Sequence, residues 1–160
     1  MARAQAGDVS KSVTVPVAPA EAFRVYTERP GEWLPPEHTF LKSPQAVVME
    51  PQAGGRFYER GADGTELTRG TITEWDPPAR LAVTWRIGPG WQPVFDDSRA
   101  SVIVVEFRPA GADATQVTLT YTHLERHGEM AAVIRSAIDN PGADTLSRYA
   151  DLVKRHSART

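Results

Sequence analysis

The sequence predicts an α+β fold in which a curved antiparallel sheet grips a long C-terminal helix and encloses a cavity. From Phe57 to Tyr121, four successive runs of alternating apolar residues each end in Gly, Asp-Pro or Pro-rich turns, the pattern of antiparallel strands joined by hairpins. A short helical segment, Pro19 to Thr27, precedes them, and a helical pattern from Gly128 to His156 follows.

Each element has a local cause. Residues 1–9 are small and polar and are expected to fray, leaving 10–157 as a single domain. The first strand spans Lys11 to Val17, with Val13, Val15 and Val17 on one face. Pro19 suits a first helical turn, where its missing N–H has no partner, and Glu21 favours the positive end of the helix dipole. Ala22, Phe23 and Tyr26 form that helix's apolar stripe, and Pro30-Gly31 stops it. Trp33-Leu34-Pro35-Pro36 then connects to a short strand, Ala46 to Glu50.

Arg56 to Arg60 and Thr65 to Trp75 form a hairpin around Gly61-Ala62-Asp63-Gly64, which sets Phe57 opposite Thr68 and Tyr58 opposite Leu67. Two arrangements are open. Either Phe57 and Glu59 face inward and an acid lines the cavity, or Tyr58 and Leu67 do and Arg69 takes that place. Asp76-Pro77-Pro78 ends the run, because proline cannot continue a central strand. Arg80 to Ile87 puts Leu81, Val83, Trp85 and Ile87 on one side. The loop Gly88 to Ser98 carries Trp91, Val94 and Phe95, three bulky apolar residues that need a surface to cover. Ser101 to Arg108 aligns Ile103, Val105 and Phe107, and Gln116 to His123 aligns Val117, Leu119, Tyr121 and His123. Met130, Val133, Ile134, Ala137 and Ile138 recur at helical spacing as one apolar stripe. A second helical block opens at Asn140-Pro141 and runs through Leu146, Tyr149, Ala150 and Val153.

Composition narrows the function. At 160 residues the chain suits one domain with a real core. A net charge of −2, with Arg56, Arg60, Arg69, Arg80 and Arg86 dispersed, gives no footprint for nucleic acid. The absence of cysteine removes disulfides, thiolate metal sites and cysteine nucleophiles. No signal-type apolar stretch and no window of ~20 apolar residues occurs, so a cytoplasmic protein without a membrane span is expected. Abundant Ala, Arg, Gly and Pro point to a GC-rich bacterial genome. His38, His123, His127 and His156 do not fall at zinc-ligand spacing on a helix, and no metal or cofactor is expected. There is no nucleophile elbow, phosphate loop or dinucleotide fingerprint.

What remains is the cavity, a mostly apolar space with a few polar groups of the kind that takes small molecules. Trp33, Phe57, Trp75, Trp85, Phe107 and Tyr121 supply aromatic walls, and Glu59 and His123 the polar groups.

Val13 to Val17 with Ala18-Pro19-Ala20-Glu21-Ala22-Phe23, then Trp33-Leu34-Pro35, Gly54-Gly55-Arg56-Phe57, Asp63-Gly64, Gly70-Thr71-Ile72, Asp76-Pro77-Pro78-Ala79-Arg80-Leu81, Thr84-Trp85 and Thr118 to His123 resemble the START-like (SRPBCC) superfamily. The resemblance is strongest to its single-domain homologues of the activator of the ninety-kilodalton heat-shock-protein ATPase. It implies a helix-grip fold and favours Phe57 and Glu59 as inward-facing. Members often carry Gly-Trp near the last helix, whereas Ala143 follows Gly142 here. The eukaryotic co-chaperone has a further N-terminal domain for which this chain has no room, so stimulation of a chaperone is not expected.

The leading expectation is a protein that binds a small apolar or aromatic molecule between Trp33, Phe57, Glu59, Ile72, Trp85, Val105, Phe107, Leu119, Tyr121, His123, Ile134 and Ile138. The alternatives are an aromatase/cyclase-type enzyme using His123, Tyr121 or Glu59 as acid or base, and a protein-interaction module. Trp91 and Phe95 are expected at an interface, either the cavity mouth or a homodimer contact.

Overall fold

Seven strands pair antiparallel in the order β1-β7-β6-β5-β4-β3-β2 and curl into a half-barrel. They are β1 (Val9–Val15), β2 (Ala46–Met49), β3 (Arg56–Arg60), β4 (Glu66–Asp76), β5 (Arg80–Trp85), β6 (Ser101–Pro109) and β7 (Thr115–Thr122). Among the described residues four α-helices accompany them: α1 (Pro19–Glu28), α2 (Pro30–Trp33), α3 (Ala131–Ile138) and α4 (Thr145–Ala158). The computed structural model describes residues 9–34, 39–42, 44–86, 98, 100–138 and 145–158. Trp91, Val94 and Phe95 lie outside the described residues.

The first strand starts two residues earlier than expected and stops two earlier. Val9 pairs with Tyr121 and Val15 with Thr115, so the end of the supposed tail belongs to the sheet. Pro16 has no N–H to continue the ladder. Pro30 ends α1 but also opens α2, where a proline at the first position costs no hydrogen bond. Arg148 of α4 donates from Nε to the Trp33 carbonyl at 3.0 Å, closing the free end of that short helix.

Two bulges bend the sheet, one between Phe57 and Tyr58 and one between Ile72 and Glu74. The hairpin register is one residue off that expected from the loop onward, with Arg60 pairing Glu66, Glu59 pairing Leu67 and Tyr58 pairing Thr68, and the first bulge then pairs Phe57 with Gly70, leaving Arg69 as the extra residue. Gly70 is required there, because a Cβ at this position would run into the Thr84 carbonyl oxygen.

The main core lies between the inner face of the sheet, α1 and α4. Phe23, Tyr26, Phe107, Val117, Tyr149 and Val153 are buried in it. Phe23 packs edge-on against Phe107 at 5.2 Å and against Trp75 at 5.1 Å. The Tyr149 hydroxyl donates to the Ala22 carbonyl at 2.7 Å, so the one polar atom this side chain brings inside is satisfied. Among the described residues no helix is long and apolar enough to cross a membrane.

Candidate functional site

Beside the main core sits a smaller apolar cluster that is only partly closed. Leu124, Ile134 and Ile138 are buried in it, while Val9, Phe40, Trp85, Tyr121 and Met130 are partly buried against them. Tyr121 also packs on the main core. Trp85 and Tyr121 meet at 5.9 Å with their rings tilted by 55°. Partly covered aromatic faces around a greasy floor form a surface suited to a flat apolar ligand.

The cover over this cluster follows from how β7 ends. His123 takes a left-handed backbone conformation, φ 58° and ψ 34°, which breaks the strand alternation. Its side chain is therefore 50% exposed, with Nδ1 3.5 Å from Glu125 Oε1, rather than on the inner face beside Tyr121 as expected. A 3-10 segment, Leu124–Met130, follows, and Gly128 at φ 62° redirects the chain into α3. On α3, Ile134 and Ile138 face the cluster but Val133 is 47% exposed. The inward stripe is thus the narrower Met130, Ile134 and Ile138 row at spacing four.

The 3-10 segment also carries His127, which ties it to the start of β6. The backbone N–H of Ser101 donates to His127 Nε2 at 3.2 Å, and the Ser101 hydroxyl lies 2.8 Å from the same nitrogen. Arg126 Nη1 donates to the Ala100 carbonyl at 3.4 Å, a second tie to the start of β6. The His127 ring stands edge-on to Trp85, with centroids 6.2 Å apart and planes at 75°. Ser101 is fully buried and pairs in register with Trp85.

On the other side of Phe40 lies a buried ion pair. Leu67 lies opposite Glu59, so Arg69, two residues on, shares the inward face with Phe57 and Glu59, while Tyr58 and Thr68 take the other face; the Phe57 and Glu59 arrangement is realised, with Arg69 added to it. Arg69 Nη1 donates to Glu59 Oε2 at 2.5 Å. Glu59 also accepts the N–H of Phe40, at 2.8 Å on Oε2, and of Leu41, at 2.8 Å on Oε1. The Arg69 guanidinium carbon lies 5.2 Å from the Phe40 ring centre and 5.1 Å from that of Phe57. Burial pulls the guanidinium below its ordinary value, and the charge of Glu59 opposes that shift. Glu59 is therefore the anchor that seats Phe40 over the cluster.

The structure brings together Trp85, Tyr121, Ile134 and Ile138 of the expected site, with Glu59 reaching it through Phe40, while Phe57 belongs to the main core and touches Arg69 from there. Trp33, Ile72, Val105, Phe107 and Leu119 instead pack into the main core. Trp33 stacks on Tyr26 at 4.4 Å, and its indole N–H is held by the Tyr26 carbonyl at 2.9 Å. Phe40, Ser101 and His127 were missed. A separate open cavity of about 560 Å³ lies between α1 and β2, walled by Phe23, Thr27, Val47, Met49 and Trp75. Among the described residues no three His, Asp or Glu side chains converge as metal ligands.

A family model described as Activator of Hsp90 ATPase homolog 1-like protein matches residues 16–140. The anthrahydroquino-γ-pyrone synthase Txn09, complexed with SUM, is 48% identical, with 90% of this chain and 95% of that chain covered and a TM-score of 0.64. CalC, a self-sacrificing resistance protein from Micromonospora echinospora, is 28% identical over 93% of this chain and 95% of its own, with a TM-score of 0.68. Protein NE0264 from Nitrosomonas europaea is 18% identical over 97% and 99%, with a TM-score of 0.65, a likeness of fold alone. No curated protein matches. With most of its length matched, the chain belongs to the Activator of Hsp90 ATPase homolog 1-like family of the START-like superfamily.

Proposed function

We propose that this protein is a polyketide cyclase-type enzyme that closes an oxygen heterocycle on a polyphenolic, anthraquinone-type aromatic. The observation that carries this is the 48% identity, across 90% of the chain, to an anthrahydroquino-γ-pyrone synthase. A γ-pyrone closes when a phenol oxygen bonds to an electrophilic carbon of a neighbouring acyl side chain, a step that needs no redox cofactor. What the protein must supply is a flat apolar seat, a folded side-chain conformation and a route for the phenol proton. The partly covered rings of Phe40, Trp85 and Tyr121 are suited to the seat, and Met130, Ile134 and Ile138 to its cover.

A second reading, binding of an aromatic molecule without turnover, is favoured by the 28% identity to a resistance protein. The two separate in one experiment. A hydroxyanthraquinone carrying a β-diketone side chain ortho to its hydroxyl is mixed with a small fraction of protein, and pyrone formation is followed by chromatography. Multiple turnovers above the protein-free rate support the cyclase; quenching of tryptophan fluorescence with no added product supports binding alone.

A further inference from the structure

We infer that Ser101 and His127 form the proton relay for this ring closure, an inference that rests on the cyclase reading above. The backbone N–H of Ser101, 3.2 Å from Nε2, can only donate, so that nitrogen is the acceptor and the neutral ring carries its hydrogen on Nδ1. The 2.8 Å contact to Ser101 Oγ is then a hydroxyl donating to an unprotonated imidazole nitrogen. This is the polarity of an alcohol poised on a base. Ser101 is fully buried against the ring and shares a register position with Trp85, so its hydroxyl is shielded from bulk water and lies on the sheet face that carries the aromatic cluster.

Two of the polar groups expected at the site, Glu59 and His123, are committed elsewhere. Glu59 has both oxygens taken up by Arg69, Phe40 N–H and Leu41 N–H, and His123 points to solvent. A purely structural clasp between the 3-10 segment and β6 would need only the Ser101 N–H, which Arg126 already reinforces at the Ala100 carbonyl. The hydroxyl is the additional feature.

In the proposed step the substrate phenol passes its proton to Ser101 Oγ while the Ser101 proton moves to His127 Nε2. The phenol oxygen forms the new C–O bond to the distal carbonyl carbon, whose π electrons go to its own oxygen. The imidazolium returns the proton to that oxygen, giving a hemiketal. The C–O bond to this hydroxyl then breaks and water leaves, carrying one hydrogen from the phenol and one from the CH2 between the two carbonyls, removed by the same imidazole. Nothing is oxidised or reduced.

The test uses the full chain and the β-diketone hydroxyanthraquinone as probe, with single-turnover rates of pyrone formation and probe affinity from tryptophan quenching. His127→Gln and Ser101→Ala should each slow closure by ~100-fold or more, the ordinary worth of a placed acid-base group, while affinity stays within about threefold. Ser101→Thr, which keeps the hydroxyl, should hold the rate within about tenfold of wild type. Closure by both His127→Gln and Ser101→Ala at wild-type rates would overturn the relay and leave the cyclase standing. A wild-type protein that gives no acceleration would overturn both. Should His127→Gln lose the fold, the other two variants decide: equal rates for Ser101→Ala and Ser101→Thr sink the relay.

Discussion

Glu59 and Arg69 meet inside the protein at 2.5 Å, although the register expected from the sequence, with Phe57 opposite Thr68, would set them on opposite faces of the sheet. Pairing of Arg60 with Glu66 sets Leu67 opposite Glu59 and so puts Arg69, two residues on, on the Glu59 face, where the carboxylate also holds the backbone of Phe40 and Leu41. The register of one hairpin thereby fixes the position of an aromatic ring on a different segment.

Removing one member of this pair strands the other in a medium that solvates it poorly. Glu59→Gln should destabilise the fold by ~3 kcal/mol, the usual range for breaking a buried pair being about 3–5 kcal/mol. Replacing the pair together, Glu59→Leu with Arg69→Met, should recover much of that loss. Urea midpoints of the single and double variants check this; equal losses for both would mean the pair is not the relevant interaction.

Ile134 is fully buried in the small cluster and its neighbour Val133 is 47% exposed. Ile134→Asp should therefore cost roughly 3 kcal/mol or more, and Val133→Asp no more than about 0.5 kcal/mol. Thermal melts of the two variants measure the contrast directly. Similar melting temperatures would show that α3 does not cover the cluster.

Trp85 is expected to report the ligand. Its ring touches Tyr121 and His127 at the edge of the partly covered cluster, whereas Trp33 is locked on Tyr26 in the main core. Trp85→Phe should abolish most of the fluorescence change produced by a hydroxyanthraquinone, and Trp33→Phe should leave it largely intact. Unchanged quenching in Trp85→Phe would place the ligand elsewhere, and the α1–β2 cavity beside Trp75 would become the candidate.

Tyr26 and Tyr149 give the fold an alkaline limit. Burial, the largest cause, pushes both phenols well above the ordinary tyrosine value. The stability held in their neutral forms is complete below the unfolded value of ~10 and is lost as pH rises past it, because only the unfolded chain then releases these protons. Each group can contribute a slope of up to ~1.4 kcal/mol per pH unit. Tyr149→Phe should lower this slope and cost ~1 kcal/mol at neutral pH through the lost bond to the Ala22 carbonyl. Urea midpoints measured from neutral pH to about pH 11 test both effects; an alkaline slope identical to wild type would rule out Tyr149 as a contributor.

Much of the architecture is legible in the residues, because the strands alternate and their turns are spelled by Gly, Pro and Asp. The C-terminal helices show in the spacing of Ile134 with Ile138 and of Tyr149 with Val153. The register of the β3–β4 hairpin is not legible: a one-residue slip leaves the apolar pattern of both strands intact while changing which charged residues share a face. His123 satisfies the alternation of β7 yet leaves it, since a backbone turn into the left-handed region carries no side-chain signature beyond the short loop it begins. Ser101 and His127 are separated by 26 residues and meet only because the 3-10 segment folds back on β6. Phe40 follows a proline-rich connector, where no periodicity reveals what a ring will cover.

Because Val9 pairs with Tyr121, the aromatic seat is backed by the outermost strand of the sheet. Margins of sheets open and close far more readily than their centres. An occupant that steadies Tyr121 would therefore slow deuterium uptake at the amides of β1, making the quiet edge of the molecule a remote gauge of whether its pocket is filled.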